Sequence, residues 1–344
     1  MPTQLTNTGM SHVADPYLTG IATAYMQKAK NFVAASVFPV FPVTLMSDSF
    51  IVYPKGAFLK NEVGYRPMGG KNPIATRATP SPTPYNCVER GLSDWIDERE
   101  RKNASPMVIN PERDAVMALT KAMLIDRDQR FAAAYFKTGV WSLDHVGVAA
   151  APTGAQLLQW NQSASDPIQQ FQNDALAMLQ NTGLEPNGLL LGANAALKLV
   201  QNTAVINRVS GGATTNTPAM PTLGGVENWL RAQGLDISIQ VAKGIWDSSA
   251  DGAASATTGF ILDSNSALLY YRDDNTSESP NMRNPTAGYI FSMVNSDGAG
   301  GFDTVAVRRG IPDINGNLEL AVNIQYDTKV VSNDLAVFYS GISA

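Results

Sequence analysis

The residues that could do acid–base, redox or metal chemistry are few in this chain. It contains two histidines, His12 and His145, and one cysteine, Cys87. No HExxH pair, CxxC pair or His-centred triad can be assembled from them, so the sequence predicts no metal site and no such catalytic centre. We interpret Cys87 as a small packing residue rather than a nucleophile, and a single cysteine cannot form an intramolecular disulfide.

Two stretches imitate ligand-binding loops without completing them. Residues 64–71 read GYRPMGGK and resemble a phosphate-binding loop, but Gly70 stands in the place of the lysine and no Ser or Thr follows Lys71. Asp247 begins a stretch that resembles a calcium loop, but its twelfth position is Thr258 instead of a bidentate glutamate, and no helix leads into it. We therefore predict no phosphate, calcium or cofactor site.

An acidic stretch at residues 88–102, VERGLSDWIDERERK, is the remaining place for enzymatic chemistry. Asp97 and Glu98 could form a general acid–base pair, which would make the chain a soluble hydrolase. Nothing nearby supplies a nucleophile or a set of metal ligands. We therefore interpret the stretch as a solvated or interface charge cluster, with the hydrolase as the alternative. The apolar residues of the stretch are expected on its other side: Leu92, Trp95 and Ile96.

Composition limits the function further. The chain has 344 residues, 44% hydrophobic and 16% charged, with a net charge of -5. This length predicts two domains, or one with a large insertion, and the sparse charge favours a surface that is buried in an assembly. An acidic chain is a poor candidate for gripping nucleic acid. No signal pattern and no run of about 18 apolar residues is present, so we expect a soluble protein made in a cytoplasm.

The element that must position everything else is a long helix predicted over residues 111–137. Asn110 can cap its first turn, and Pro111 fits the first helical position, where no N–H is needed. Gly139 is expected to supply the left-handed cap at its other end. At about 1.5 Å per residue this spine helix would be roughly 40 Å long. Its apolar stripe consists of Val116, Leu119, Met123 and Leu124.

The stretch before the spine helix is extended. Residues 1–20 are predicted to be a loose polar arm, and Thr19 to cap a short amphipathic helix. That helix would carry Ile21, Ala24, Tyr25, Ala29 and Phe32 on one face. The next stretch, VFPVFPV at residues 37–43, contains two prolines and predicts an edge-like strand. Residues 48–87 are rich in Gly, Pro and Thr, and we interpret them as a long two-stranded excursion that packs outside its own domain.

Helices and strands alternate in the rest of the chain. Asp166 and Pro167 are expected to open a helix that ends at Gly183, followed by a buried strand at residues 188–192 and a helix at Ala193–Gln201. A further helix is predicted at residues 223–233, and strands at 236–242, 259–262 and 267–271. Four strands are expected after residue 289: IFSMV, TVAVRR, LELAVNIQY and LAVFYS.

This order of elements resembles that of a major capsid protein of tailed bacteriophages, of the Hong Kong 97 fold. The most specific local match is SDPIQQFQNDALAMLQNTGLEPNGLLLGANAALKLVQN, a helix opened by Asp-Pro, a Thr-Gly turn, Pro-Asn, an apolar strand and a second helix. The matching residues are Asp166, Pro167, Thr182, Gly183, Pro186 and Asn187. The resemblance covers nearly the whole chain and rests on the order of elements.

The resemblance implies an α+β, Hong Kong 97-like fold with an N-terminal arm (1–35), an extended β-hairpin loop (48–87), a peripheral domain with the spine helix (36–47, 88–138 and 289–344) and an axial α/β domain (139–288). It implies self-assembly into hexamers and pentamers of an icosahedral phage head around double-stranded DNA, without sequence-specific DNA binding and without a membrane. The chain would be assembled in the host cytoplasm and located in the virion. Its expected partners are copies of itself, a separate scaffolding protein, a portal and a decoration protein.

A bacterial nanocompartment shell of the same fold, which encloses a cargo enzyme, is the related alternative. Some members of the capsid family crosslink Lys to Asn; Lys55, Lys60 and Lys71 lie in the corresponding loop, but no acidic catalyst can be assigned.

The extended loop is basic within an acidic protein, and this predicts a subunit interface. The loop contains one acidic residue, Glu62, and five positive residues. The positive residues are Lys55, Lys60, Arg66, Lys71 and Arg77. The predicted partner surface on a neighbouring subunit carries Asp94, Asp97, Glu98 and Glu100. The alternative is that the positive charges only keep a long loop soluble.

Overall fold

A computed structural model of the chain describes residues 31–53, 59–66, 68–76, 79, 81–103, 110–209, 221–250, 253, 255, 257–273, 285–293 and 306–343. The helices are α1 (Ala34–Val37), α2 (Glu98–Asn103), α3 (Pro111–Tyr135), α4 (Pro167–Thr182), α5 (Ala193–Gln201), α6 (Thr203–Val209) and α7 (Leu223–Ala232). The strands are β1 (Val40–Val43), β2 (Ser47–Val52), β3 (Ser81–Asn86), β4 (Val88–Ile96), β5 (Leu143–Val148), β6 (Gln156–Leu158), β7 (Gly188–Leu191), β8 (Ser238–Val241), β9 (Ile245–Asp247), β10 (Thr258–Phe260), β11 (Ala267–Tyr270), β12 (Gly288–Met293), β13 (Ala306–Arg309), β14 (Leu318–Val330) and β15 (Ala336–Ser340).

Two sheets organise this mixed α+β chain. The first is built on β14, which pairs with β12 and β13 along one edge and with β4 along the other. Strand β1 extends this sheet by parallel pairing with β12 and lies at its edge, as the two prolines of VFPVFPV predict. The second sheet has six strands in the order β6-β5-β15-β11-β7-β8.

The spine helix α3 lies across the first sheet and packs on β14 and β4. Asn110 caps it as predicted, because its side chain accepts a hydrogen bond of 3.2 Å from the backbone N–H of Arg113. All four residues of the predicted apolar stripe are buried. The alternating buried residues of β14 belong to the same hydrophobic core as Val116, Leu119 and Met123 of this stripe, so the helix and the sheet share one apolar layer.

Three sequence-based expectations need correction. Helix α3 ends at Tyr135 instead of residue 137, and its last turn is closed by Phe136 rather than by Gly139, which has a left-handed φ of 84° three residues further on. The expected arm does not extend to residue 35, because Val33 and Ala34 are fully enclosed in the core. Residues 1–20 lie outside the described part of the chain.

The third correction concerns the last strand. The sequence predicts that residues 289–344 belong wholly to the peripheral domain, but β15 lies inside the second sheet, parallel to β5 and antiparallel to β11. Its residues Ala336 to Tyr339 are all buried, so the strand needs cover on both faces, which only a central position provides. The rest of the division into an arm, a loop and two domains stays a prediction. In the described part of the chain no helix is both long and apolar enough to cross a membrane.

Candidate assembly surfaces

Most of the described residues from β2 to β3, which form the extended hairpin, are exposed. Strands β2 and β3 pair with each other in a two-stranded sheet of their own. The base of the hairpin is fixed to the first sheet by aromatic rings: Tyr85 stacks on Phe291 with ring centroids 4.6 Å apart, and Phe50 lies 5.1 Å from the same ring. The base of the hairpin is therefore anchored on the first sheet, while the described residues beyond it, 59–66 and 68–76, are almost all exposed.

The outer part of the hairpin exposes apolar side chains, and their contact with water is energetically unfavourable. Its fully or almost fully exposed apolar residues are Val63, Tyr65, Met68 and Ile74. Its shape is supported by local hydrogen bonds, since Glu62 accepts from the backbone N–H of Thr76 and Arg66 Nε donates 2.7 Å to the carbonyl of Gly70. Exposed apolar groups gathered in one segment are typical of interaction surfaces.

The basic residues predicted for this loop fall into two groups. Lys60, Arg66 and Lys71 are exposed. Lys55 and Arg77 lie outside the described residues. Exposure of the three described side chains fits both interpretations of the loop charges, so the subunit interface stays a prediction.

The predicted acidic partner surface is split between a strand and a helix. Asp94 lies on β4 and is exposed. Asp97 accepts a 2.6 Å hydrogen bond from the backbone N–H of Arg99 at the start of α2, and Glu98 pairs with Lys102 at 2.6 Å. Glu100 is exposed on the same helix. Among the residues the structure describes, no ion pair joins these acids to the loop bases within one chain.

The apolar residues beside these acids do not share one side as expected. Because β4 is a strand, Leu92 and Ile96 point to one face and Trp95 to the other. Only Ile96 is buried, while Leu92 is 47% and Trp95 59% exposed. The acidic surface therefore also offers apolar area, which charge counting along the sequence did not reveal.

A buried polar cluster around His145 is the nearest approach to a catalytic constellation. The Nε2 atom of His145 lies 3.1 Å from Oδ1 of Asp174, and its Nδ1 atom lies 3.0 Å from the carbonyl oxygen of Ala155. Tyr339 donates a 2.5 Å hydrogen bond to Oδ2 of Asp174 and stacks on the imidazole. Both ring nitrogens face acceptors, so the arrangement holds the imidazole in place and leaves neither nitrogen for a substrate.

Electrostatics in this cluster favour the charged imidazole. Burial acts to lower the pKa of His145, but the hydrogen bond and the negative charge of Asp174 outweigh it and raise that pKa above its ordinary value. Burial and the same carboxylate raise the pKa of Tyr339 well above its usual range. The cluster ties together β5, α4 and β15, which come from distant parts of the chain.

The remaining candidates for chemistry have structural roles. Cys87 is completely buried, as the packing interpretation predicts, and burial together with the nearby charge of Asp327 raises the pKa of its thiol to about 11. Asp97 accepts a hydrogen bond from Arg99 and Glu98 pairs with Lys102, so both carboxylates are engaged by residues of α2. Within the described residues no group of three metal-ligating side chains comes together.

Comparisons with known proteins agree with this geometry. No protein-family model matches the sequence. No curated protein has a significantly similar sequence. Solved structures do match: a phage-related protein from Bordetella bronchiseptica superimposes with a TM-score of 0.66 at 17% identity, over 96% of this chain and 98% of that one.

Two further structures are named as particles. A virus-like particle from Pyrococcus furiosus matches with a TM-score of 0.52 at 10% identity, over 94% of this chain and 98% of that one. The capsid of the cyanophage P-SCSP1u matches with a TM-score of 0.51 at 15% identity, over 88% of this chain and 86% of that one. The fold is thus that of phage capsid proteins and related shells, as the order of elements implied.

Proposed function

We propose that this chain is a major capsid protein that assembles into hexamers and pentamers of an icosahedral phage head enclosing double-stranded DNA. The observation that carries the proposal is the likeness in fold to a virus-like particle over 94% of the chain and to a phage capsid over 88% of it. The exposed apolar hairpin supports it, because a subunit that stayed alone would leave that surface in water.

The proposal assigns a role to each part of the subunit. The first sheet and the spine helix form the rigid peripheral body, the second sheet forms the axial body, and the extended hairpin reaches a neighbouring copy. Many modest interfaces of this kind close a shell when each is repeated by symmetry. An overall charge of -5 keeps the shell from adhering to the packaged DNA. A scaffolding protein, a portal and a decoration protein would complete the head in the host cytoplasm.

The test is to purify the chain and examine it by electron microscopy and light scattering. The matched variant replaces residues 59–76 by a short Gly-Ser linker, which leaves the paired strands β2 and β3 and the Tyr85–Phe291 contact intact. We expect closed shells from the unmodified chain and folded, unassembled subunits from the shortened one. Monomers under all conditions would overturn the proposal. Intact shells from the shortened chain would show that assembly does not need the hairpin.

A nanocompartment shell remains the second candidate, because the fold also matches a virus-like particle from an archaeon. The contents of particles from infected or producing cells separate the two functions. Nuclease-protected double-stranded DNA supports the phage head, whereas a single stoichiometric cargo protein and no nucleic acid supports the compartment.

A further inference from the structure

Strand β4 has one edge that no other strand of the described residues covers. The strand is nine residues long and pairs with β14 along its other edge. Val88 and Leu92 lie on the same face as the buried Ile96, yet they are 44% and 47% exposed. An edge strand of this length presents a row of backbone N–H and C=O groups that can pair with a strand of another chain. The open edge of β4 is therefore a candidate interface.

Two opposite charges on this strand lack an ion-pair partner. The guanidinium carbon of Arg90 lies 5.8 Å from the ring centroid of Tyr326, and its buried Nε atom has no hydrogen-bond partner. Asp94 is exposed, and its Oδ1 atom accepts a 2.9 Å hydrogen bond from the backbone N–H of Trp95. Among the residues that the structure describes, neither charge forms an ion pair. The two residues are about 13 Å apart along the strand, so they do not reach each other within one chain.

These charges are placed symmetrically about Leu92. If two copies of β4 pair antiparallel by their open edges, with Leu92 opposite Leu92, then Arg90 of each copy lies opposite Asp94 of the other. The Cβ atoms of directly opposed residues are about 4.5–5.5 Å apart, which is within reach of an ion pair. The carboxylate would supply the acceptor that Nε of Arg90 lacks. The same register sets Val88 opposite Ile96, so apolar side chains flank both ion pairs.

Charge also argues against the neighbouring registers. Pairing centred on Arg90 or on Asp94 would set like charges opposite each other, which is destabilising. In the register centred on Leu92, the other face of the strand places Gly91 opposite Ser93 and Glu89 opposite Trp95, so no like charges meet there either. The strand is therefore complementary to a second copy of itself in this one register.

We propose that two copies of this chain associate about a twofold axis by antiparallel pairing of their β4 edges, with Leu92 at the axis and two Arg90–Asp94 ion pairs beside it. Such an isologous contact uses the same surface of both copies. It goes beyond the proposed function, because a phage head, a compartment and a free dimer could each contain it. It leaves Asp97 and the acids of α2 for the predicted contact with the basic loop.

Disulfide trapping in the full-length chain tests the register. Leu92→Cys places one thiol of each copy at the axis, where opposed Cα atoms are about 4.5–5.5 Å apart, within the range of a disulfide. The control Glu89→Cys lies at an exposed position of the same strand, but its two copies would be about 20 Å apart across the axis. The natural Cys87 does not compete, because it is fully buried. Under mild oxidation we expect at least about fivefold more covalent dimer from Leu92→Cys than from Glu89→Cys.

Charge exchange in the Leu92→Cys background tests the ion pairs. Arg90→Asp and Asp94→Arg each set like charges opposite each other, so each should reduce the dimer yield to that of Glu89→Cys. The double variant Arg90→Asp/Asp94→Arg exchanges the charges and should restore the yield to within about twofold of Leu92→Cys alone. The melting temperature of each variant shows whether it is folded, and a variant that does not fold leaves the comparison of Leu92→Cys with Glu89→Cys to decide.

Equal dimer yields from Leu92→Cys and Glu89→Cys would overturn the proposal. Folded charge variants that crosslink as well as Leu92→Cys alone, or a folded double variant that does not regain the yield, would overturn it too. Electron microscopy of the same samples keeps this contact separate from the proposed function. Closed shells with equal yields would overturn the β4 contact alone, whereas dimers trapped at Leu92 without shells would support the contact and count against the shell.

Discussion

The Oδ2 atom of Asp128 accepts a hydrogen bond of 2.8 Å from the backbone N–H of Val33, across 95 residues of sequence. The Oδ1 atom accepts a second bond from Ala34 at 3.1 Å. One buried carboxylate of the spine helix therefore caps α1 and fixes the point at which the N-terminal segment enters the core. Burial raises the pKa of Asp128, while the bond from Val33 acts in the opposite direction.

We expect Asp128→Ala to lower the free energy of unfolding by about 2–4 kcal/mol, because it leaves two buried N–H donors without acceptors. Asp126→Ala is the matched control, since Asp126 lies on the same helix and pairs with Arg130 near the surface. An exposed pair of this kind contributes less than about 1 kcal/mol. Chemical denaturation of both variants measures the difference. Equal losses in the free energy of unfolding would show that the hydrogen bonds to Asp128 stabilise the fold no more than an exposed ion pair does.

The packing of the spine helix on the first sheet gives a second prediction. Leu119 is buried in the core that includes β14. Truncation to Ala should cost about 2–5 kcal/mol through lost burial and a residual cavity. Lys121→Ala, two residues away on the exposed side, should change stability by less than about 0.5 kcal/mol. If the two variants unfold at the same denaturant concentration, this face of the helix does not stabilise the fold.

The cluster of His145 and Asp174 makes stability depend on pH. The pKa of His145 is raised above the ordinary value of 6.5 in the folded chain, so folding favours the protonated ring. This stabilisation is fully present below the unfolded-state pKa and is lost as the pH rises through the folded-state pKa. The melting temperature, measured between about pH 5.5 and 9, should therefore decrease as the pH rises above the ordinary pKa range of histidine.

Asp174→Asn isolates that contribution. The variant removes the carboxylate that holds the imidazolium, so the fall in melting temperature over this pH range should become shallower. Gln cannot titrate, so His145→Gln should make the dependence of the melting temperature on pH shallower by the same amount. Identical slopes in all three proteins would mean that other groups produce the pH dependence.

The helix beginnings could be predicted from sequence because their signals are local. Asn110-Pro111 and Asp166-Pro167 each combine a capping side chain with a proline at the first position, and both caps form as expected. The end of α3 comes two residues earlier than the sequence predicts, since Gly139 has the residue type of a cap but lies beyond the turn that follows the helix.

Pairings across long separations could not be predicted in this way. Tyr339 and Asp174 are 165 residues apart, and no periodic pattern connects them. The apolar composition of β15 indicates a buried strand, but it does not indicate which sheet encloses it. The candidate interface residues were found from charge alone, so the exposed apolar residues of the hairpin and of β4, which only the fold reveals, were missed.

The polar arm at residues 1–20 lies outside the described part of the chain and stays a prediction. Its sequence has little apolar content for packing in a free subunit. We expect proteinase K to remove it rapidly from unassembled protein and slowly from shells, as followed by intact-mass measurement. Equal protection in both states would show that the arm does not depend on assembly for its order.

The loop charges give the last prediction. Replacing four basic residues of the extended loop by Gln should leave the subunit folded but reduce the yield of shells, because each shell repeats the loop contact many times. The four substitutions are made at Lys55, Lys60, Arg66 and Lys71. Each exposed ion pair contributes only about 0–1 kcal/mol. The effect therefore depends on repetition, and salt should weaken assembly of the unmodified chain by screening the same contacts.

A control with the same loss of charge decides whether position or total charge matters. Its four exposed basic residues lie outside the loop, and they are Arg113, Lys121, Lys137 and Lys243. If shell yield falls only for the loop variant, and the salt response of assembly falls with it, the loop charges act at the interface with the acids around Asp97. If both variants assemble normally with unchanged salt response, the charges only keep the loop soluble. The exposed side chains of Val63, Tyr65, Met68 and Ile74 would then have to supply the contact through shape and apolar burial.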